Sequence, residues 1–478
     1  MDYLEIAMDE AIRIGADYAD IRIMETFTEF LFLQDLSLKV NSANKRYGYG
    51  IRVLKNGAWG FAHNNSFTKD AISETVKKAY SSAVFFSKFN KTRKIELVHE
   101  RSYIDEFKSP VKIDPFTLQL SEKLDLMTEV NRKMLNHNYI KKAEFMLDSR
   151  KDNKYFASTL GSRIHSETTY IYPNFTAYAV TDKDSQSRMF CKGGRNAGWE
   201  YVLNENLLLQ ASRIAQEAVV KANADEPGEI KRRDLLIDPM NLSLTMHESV
   251  GHPTELDRVM GWEADMAGLS FATPEKLKSF KYGSELVNFF GDNTLPYGLA
   301  TAGYDDDGVP GQKWHIIKDG ILNEYGSTRD TAGLIGLSSS RGCSRATDYY
   351  NFPINRIPNL YLEAGKTPLT PEELISSTDD GILIEGRGSF SIDQHRVNFQ
   401  FGGDMFWEIK NGKRFRPLKN VLYKSSNPEF WGSVDAICDK RYWESFGITN
   451  CGKGQPGQTA RMTHGAALTR FKNIRVGG

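Results

Sequence analysis

The run Tyr47-Gly48-Tyr49-Gly50-Ile51-Arg52-Val53-Leu54, followed by Asn56-Gly57 and then Ala58-Trp59-Gly60-Phe61-Ala62, decides the fold class. Two apolar segments flank an Asn-Gly pair, the dipeptide that accepts positive φ at both central positions of a tight hairpin turn. The run therefore reads as two antiparallel strands. On its C-terminal side, Ser66 to Phe86 puts Ile72, Val76, Ala79, Tyr80 and Ala83 on one helical face. On its N-terminal side, Asp20-Ile21-Arg22-Ile23-Met24-Glu25 alternates with a period of two, and Phe27 to Val40 offers one or two more strands. Leu4, Met8, Ala11 and Ile12 recur at helical spacing before Gly15. Helix, strands, hairpin, helix describes an α+β layer rather than alternating βαβ units.

The next segment repeats that texture. Leu118 to His137 reads as a long helix, and Ala143 to Asp148, Lys154 to Ser158, Ile164 to Ile171 and Ala177 to Thr181 read as antiparallel strands. A helix over Asn204 to Asn223 follows, and Asp225-Glu226-Pro227-Gly228 marks a boundary. Beyond it, Leu235-Leu236-Ile237 is a buried strand, and the rest is mostly strands and turns, with hairpin signals at Asp319-Gly320 and Asn411-Gly412. Pro371 to Ser377 is a short helix capped by Thr370 and Glu373. The expected organisation is an N-terminal α+β domain over 1–110, a central α+β domain over 111–228, and a mainly β domain over 229–478, barrel-like or sandwich-like.

Composition narrows the function. Lys+Arg and Asp+Glu are 61 each, so the chain lacks the concentrated positive charge that nucleic acid demands. No apolar run reaches the ~20 residues needed to span a bilayer. The four cysteines (Cys191, Cys343, Cys438, Cys451) are widely spaced, which fits a reducing compartment better than a disulfide framework. The expectation is a cytoplasmic protein that binds neither membrane nor nucleic acid. Asp305-Asp306-Asp307 lacks the ligand alternation of a calcium loop and reads as a solvated turn.

One stretch carries chemistry: Met246-His247-Glu248-Ser249-Val250-Gly251-His252-Pro253, led in by the mostly apolar Leu242 to Met246. Neutral imidazoles ligate zinc, and a carboxylate beside the first ligand can accept a proton from water. The familiar spacing of two such histidines is i, i+4; here it is i, i+5, which splays the rings about 140° apart on an ideal α-helix. A widened, π-type turn would bring them together. Gly251 tolerates such a distortion, and Pro253 biases His252 away from α geometry. Candidates for a third ligand are Cys451, Cys438, Cys343, Glu255, Asp257, His315, His395 and His464. Cys451 sits in a Gly-rich, exposed-looking loop, Asn450 to Gly457, whereas Cys438 lies in an apolar strand where an inert thiol is expected. His63, His99, His137 and His165 read as ordinary histidines.

The His247-Glu248-x-x-x-His252 element, followed by Glu255 and Asp257, resembles the signature of the TldD/PmbA family of metalloproteases, labelled in older usage "modulator of DNA gyrase". The likeness extends over Gly15-Ala16-Asp17-Tyr18-Ala19-Asp20, Gly50-Ile51-Arg52-Val53, Gly57-Ala58-Trp59-Gly60-Phe61, Asp307-Gly308-Val309-Pro310, Lys318-Asp319-Gly320-Ile321-Leu322, Cys451-Gly452-Lys453-Gly454-Gln455 and the C-terminal Asn473-Ile474-Arg475-Val476-Gly477-Gly478. The resemblance implies zinc held by His247, His252 and Cys451, Glu248 as general base, peptide substrates, and a homodimer or a heterodimer with a PmbA/TldE-like subunit. Because the element is present, the chain resembles the TldD type. It departs from the pattern at Pro253 and across Gln458 to Ala467, where His464 has no counterpart.

The function so implied is a zinc metallopeptidase that hydrolyses unfolded peptides or processes peptide precursors. The alternative is a non-catalytic partner or scaffold subunit with a structural or vestigial metal site, closed by a fourth ligand such as His464 or Glu255. A third reading, action on DNA, rests on the older label, and the balanced charge opposes it.

Overall fold

The computed structural model describes residues 2–89 and 94–478. The opening hairpin forms as expected: β2 (Ser37–Lys55) turns through Asn56 and Gly57, both at positive φ, into β3 (Ala58–Asn64). These two strands continue a seven-stranded sheet that also takes β1 (Tyr18–Gln34), β4 (Ile104–Lys108), β5 (Ile140–Ser158), β6 (Arg163–Val180) and β7 (Ser185–Phe190). The order is β3-β2-β1-β5-β6-β4, with β7 also paired to β6; only the β4–β6 pairing is parallel. One sheet thus runs through the first two segments of the chain, joined where β1 pairs with β5.

Side chains alternate across a strand, and β1 uses both faces. Ile21 and Ile23 pack under α1 (Asp2–Arg13) and α2 (Lys69–Ser87). Leu31 and Leu33, on the same face, pack under α3 (Leu120–Leu135) and α5 (Leu207–Ala222), the latter preceded by the short α4 (Trp199–Asn204). The opposite face carries Asp20 and Arg22, both fully buried against the C-terminal half.

That burial overturns one expectation. Asp305, Asp306 and Asp307 are not a solvated turn; all three are buried, Asp305 accepts from the Val309 and Ser344 amides, and the other two meet cations of the N-terminal sheet. Asp306 takes Lys154 at 2.6 Å and Arg22 at 3.5 Å, and Asp307 takes Arg52 at 2.8 Å. Likewise the polar middle of β5, which breaks the hydrophobic pattern into two short segments, is one continuous strand. Its Arg150 and Asp152 pair with each other, and Arg150 donates to the Thr347 carbonyl of the C-terminal half.

The C-terminal half holds a nine-stranded and a six-stranded sheet. β8 (Lys231–Ile237) pairs in parallel with Asp380–Glu385 and antiparallel with Thr469–Gly477 at the centre of the larger sheet. α6 (Pro239–Met246) leaves β8 directly; Asp238 caps it by accepting from the Asn241 and Gly386 amides, and Pro239 occupies its first turn. α6 packs against strands of both sheets, and residues of both join Leu242, Met246 and Val250 in one core. The short helix expected near Thr370 spans Pro371–Ser376 with its capping box formed. No described helix is long and apolar enough to cross a membrane.

Candidate metal centre

Beyond α6 the helix widens. Residues His247–Gly251 form a π-turn in which the His252 amide reaches the His247 carbonyl, five residues back. An i→i+5 bond stacks residue i+5 over residue i, so the spacing that splays two histidines on an α-helix here aligns them, with ring centroids 4.7 Å apart. Side chains hold the turn open. Asn427 Nδ2 and the Tyr282 hydroxyl donate to the Ser249 carbonyl, and Thr254 Oγ1 donates to that of Val250. Trp431 Nε1 reaches Ser249 Oγ at 3.0 Å.

Two local expectations change. Gly251 has ordinary helical dihedrals, φ −58° and ψ −62°. Its value is space: a Cβ there would meet Ile357 at 3.0 Å. Pro253 does not push His252 from helical geometry; His252 has φ −62° and ψ −42°, and Pro253 sits in the short 3₁₀ turn His252–Thr254. Its missing amide falls where helix starts leave amides unpaired.

Cys451 completes the group. It lies on the strand Glu444–Lys453, not on an exposed loop, and is 5% exposed. One ring nitrogen from each of His247 and His252 and the Cys451 sulfur all lie within 4.8 Å of one another. Cys451 Sγ is 3.7 Å from His252 Nε2. Tetrahedral zinc, with bonds of about 2.0–2.3 Å, spaces its donors about 3.3–3.8 Å apart. Two imidazoles and a thiolate suit zinc or a comparable borderline-soft ion.

The far sides of both imidazoles are occupied. His252 Nδ1 donates to Glu255 Oε2 at 2.7 Å, and His247 Nδ1 lies 2.8 Å from His464 Nε2. Each arrangement leaves Nε2 as the free donor, the usual carboxylate- or base-oriented form of a ligating histidine. Glu255 is in turn held by Lys453 at 3.2 Å and Arg258 at 3.5 Å, and Lys453 also meets Asp257 at 2.7 Å. Burial lowers the His247 pKa to about 4, so the ring is neutral and able to ligate near pH 7. Burial by itself would raise the Cys451 thiol; the adjoining His252 and Arg356 outweigh it and bring it below its ordinary value. Glu248, 6% exposed, meets Arg396 Nη1 at 2.5 Å. Burial would raise its carboxyl too, and His252, His247 and Arg396 together hold it below the usual range.

The remaining candidates lie elsewhere. Cys438 is buried, with its thiol pushed up to about 12 by burial. Cys343 is likewise buried, and burial pushes it to about 12. His315 packs tilted against Phe290, and His395 is exposed on the hairpin turn before Arg396. Sequence reading missed Arg396, Arg356 and Lys453. Only Lys453 left a signal: two residues beyond Cys451 on one strand, it points the same way.

A cleft of about 510 Å³ opens over the donors, lined by Leu244, Glu248, Phe390, Arg396, Ile448 and Asn450. Leu244, Phe390, Ile448 and Asn450 also line an adjoining space of about 480 Å³ that reaches Met146, Tyr172 and Met189 of the N-terminal sheet. Two sheet edges flank the cleft: Phe390–Ile392 ends the nine-stranded sheet and Glu444–Lys453 ends the six-stranded one.

Family models described as PmbA/TldA metallopeptidase domain 1, central domain and C-terminal domain match residues 19–83, 113–225 and 231–478. The chain belongs to the PmbA/TldD metallopeptidase family. It is 28% identical to the metalloprotease MJ0996 of Methanocaldococcus jannaschii over 97% of each chain. It is 23% identical to the zinc metalloprotease TldD homolog of Saccharolobus solfataricus over 98% of each. Its fold matches TldE from Thermococcus kodakarensis with a TM-score of 0.76 at 17% identity, covering 99% of this chain and 100% of the other.

Proposed function

We propose that the protein is a zinc metallopeptidase that cleaves unfolded peptides or peptide precursors, with His247, His252 and Cys451 as metal ligands and Glu248 as general base. The observation that carries this reading is the convergence of one ring nitrogen from each histidine and one thiol under an open cleft, with Glu248 beside them. When bound, zinc supplies Lewis acidity that acidifies water and polarises a carbonyl. Glu248 accepts the proton of the attacking water and passes it to the leaving amine nitrogen. Arg396 fixes the rotamer of that carboxylate through the hairpin that carries it. Glu255 and His464 hold the two imidazoles from behind.

The closed-site, non-catalytic reading needs Glu255 or His464 as a fourth ligand. Both are already spent on Nδ1 atoms at the back of the rings, which favours the catalytic reading. The two flanking sheet edges suit an extended main chain added by backbone pairing, with little demand on side-chain identity. TldE of T. kodakarensis shares the fold, and a homodimer or a TldE-like partner subunit is the assembly we propose. Four buried free cysteines fit the cytoplasm.

The test is hydrolysis of an unstructured peptide by the chain alone and with a TldE-like subunit. Glu248→Gln is expected to retain its metal and lose turnover by at least about a hundredfold. Cleavage by Glu248→Gln at the unsubstituted rate would remove Glu248 as the base.

A further inference from the structure

Every carboxylate around the centre has a cation. Glu248 has Arg396, Glu255 has Lys453 and Arg258, and Asp257 has Lys453. Arg356, beside Cys451, has none. Arg356 is 1% exposed, and among the described residues none of its contacts is acidic. Its Nη1 donates to the Gln458 carbonyl at 3.2 Å, and its Nη2 is shared between the Cys451 carbonyl and Cys451 Sγ, the latter at 3.2 Å. Its Nε is buried without a partner. A second guanidinium, Arg345, bonds the carbonyls of Arg461 and Ile357 and, among the described residues, no carboxylate. A buried charge without a counter-charge is costly. Carbonyl oxygens satisfy hydrogen bonds without cancelling the charge, so the sulfur is the group that can balance Arg356.

We propose that Arg356 is the counter-cation of the Cys451 thiolate, a positioning residue that withdraws charge from the sulfur and so preserves the Lewis acidity of the bound metal. The proposal rests on the reading of Cys451 as a ligand. A thiolate donates more charge to a metal than an imidazole does, which weakens the metal's pull on water and on a carbonyl. A guanidinium donating to the same sulfur removes part of that donation, as hydrogen bonds to ligating sulfurs do in other metal centres. Arg356 also bridges the Cys451 strand to Gln458 on the neighbouring strand, fixing the sulfur's direction.

The test uses the full chain loaded with Co²⁺, whose sulfur-to-metal charge-transfer band in the near ultraviolet reads the energy of the thiolate electrons directly. Arg356→Gln can still donate to the carbonyls but cannot supply the charge. Its band is expected at lower energy than that of the unsubstituted protein. In the zinc form its kcat is expected to fall about 10–100-fold, with KM little changed. Arg356→Lys restores the charge without the fork, and its band is expected between the two, which covers the case in which the glutamine variant does not fold. A band unmoved in both variants overturns the proposal and leaves Arg356 a strand tether, while peptide hydrolysis by the unsubstituted protein still stands. Absence of any such band in the unsubstituted Co²⁺ protein removes Cys451 as a ligand and overturns both readings.

Discussion

His464 shows how much of this centre depends on single atoms. Its Nε2 meets His247 Nδ1 at 2.8 Å, while its own Nδ1 is buried without a partner. Replacing it with alanine leaves the His247 Nδ1–H unpaired in a buried site, and loss of such an outer contact costs about 10–100-fold in metal affinity. Chelator competition should report that weakening for His464→Ala and a smaller one for His464→Gln, which keeps an acceptor. Unchanged affinity in both would mean that His464 does not orient the ligand. At this scale the clustered side chains were legible and the groups that hold them were not. His247, Glu248 and His252 announce themselves by residue type within six positions, whereas Cys451 rests on the family resemblance, since the exposed loop expected around it is a buried strand. Arg396 and Arg356 lie 148 and 95 residues from the groups they hold, and nothing local marks an arginine as the partner of a distant carboxylate or sulfur.

The widened turn belongs to the scale of the element. The i, i+5 spacing called for it, and Gly251 sits inside it as foreseen, though for packing rather than for backbone freedom. A methyl at Gly251 would press on Ile357 at 3.0 Å, and overpacking of this kind costs about 1–3 kcal/mol. The helical gain of alanine over glycine, about 1 kcal/mol, offsets part of this. The discriminating quantity is therefore the coupling. In urea unfolding, Gly251→Ala combined with Ile357→Val should be more stable than the sum of the single changes by about 1 kcal/mol. Additivity would show that Ile357 does not limit this position. Strand lengths were the weaker part of the sequence reading. β5 reads as two pieces because Arg150 to Lys154 interrupts the apolar pattern. Arg150 and Lys154 face the other half of the molecule, where the Thr347 carbonyl and Asp306 receive them, so their polarity marks an internal interface and not a turn.

Across the whole molecule, the same interface makes stability depend on acid. Asp306 is buried, and burial would raise its carboxyl, but Lys154 and Arg22 outweigh that and lower it to about 2. A depressed carboxylate stabilises the fold above its unfolded pKa, near 3.8, and that contribution is lost as pH falls from about 4 towards 2. The shift corresponds to about 2 kcal/mol. Denaturant unfolding at pH 4 and at pH 2.5 should show a smaller loss between the two in Asp306→Asn than in the unsubstituted chain, although the variant is less stable at both. Equal losses would remove Asp306 as a contributor. The α+β class, the hairpin and the mainly β C-terminal half were readable from period and turn chemistry. The single sheet shared by the first two segments was not, because pairing between β1 and β5 joins residues more than a hundred positions apart.

The measurement that bears most directly on the centre is zinc-edge X-ray absorption of the unsubstituted chain beside Cys451→Ser, with metal content determined on the same samples. About one zinc per chain is expected, with one sulfur at about 2.3 Å and two imidazole nitrogens at about 2.0–2.1 Å, and loss of the sulfur shell with weakened zinc retention in Cys451→Ser. A zinc shell without sulfur in the unsubstituted chain, or full zinc retention with an unaltered shell in Cys451→Ser, would contradict this ligand set.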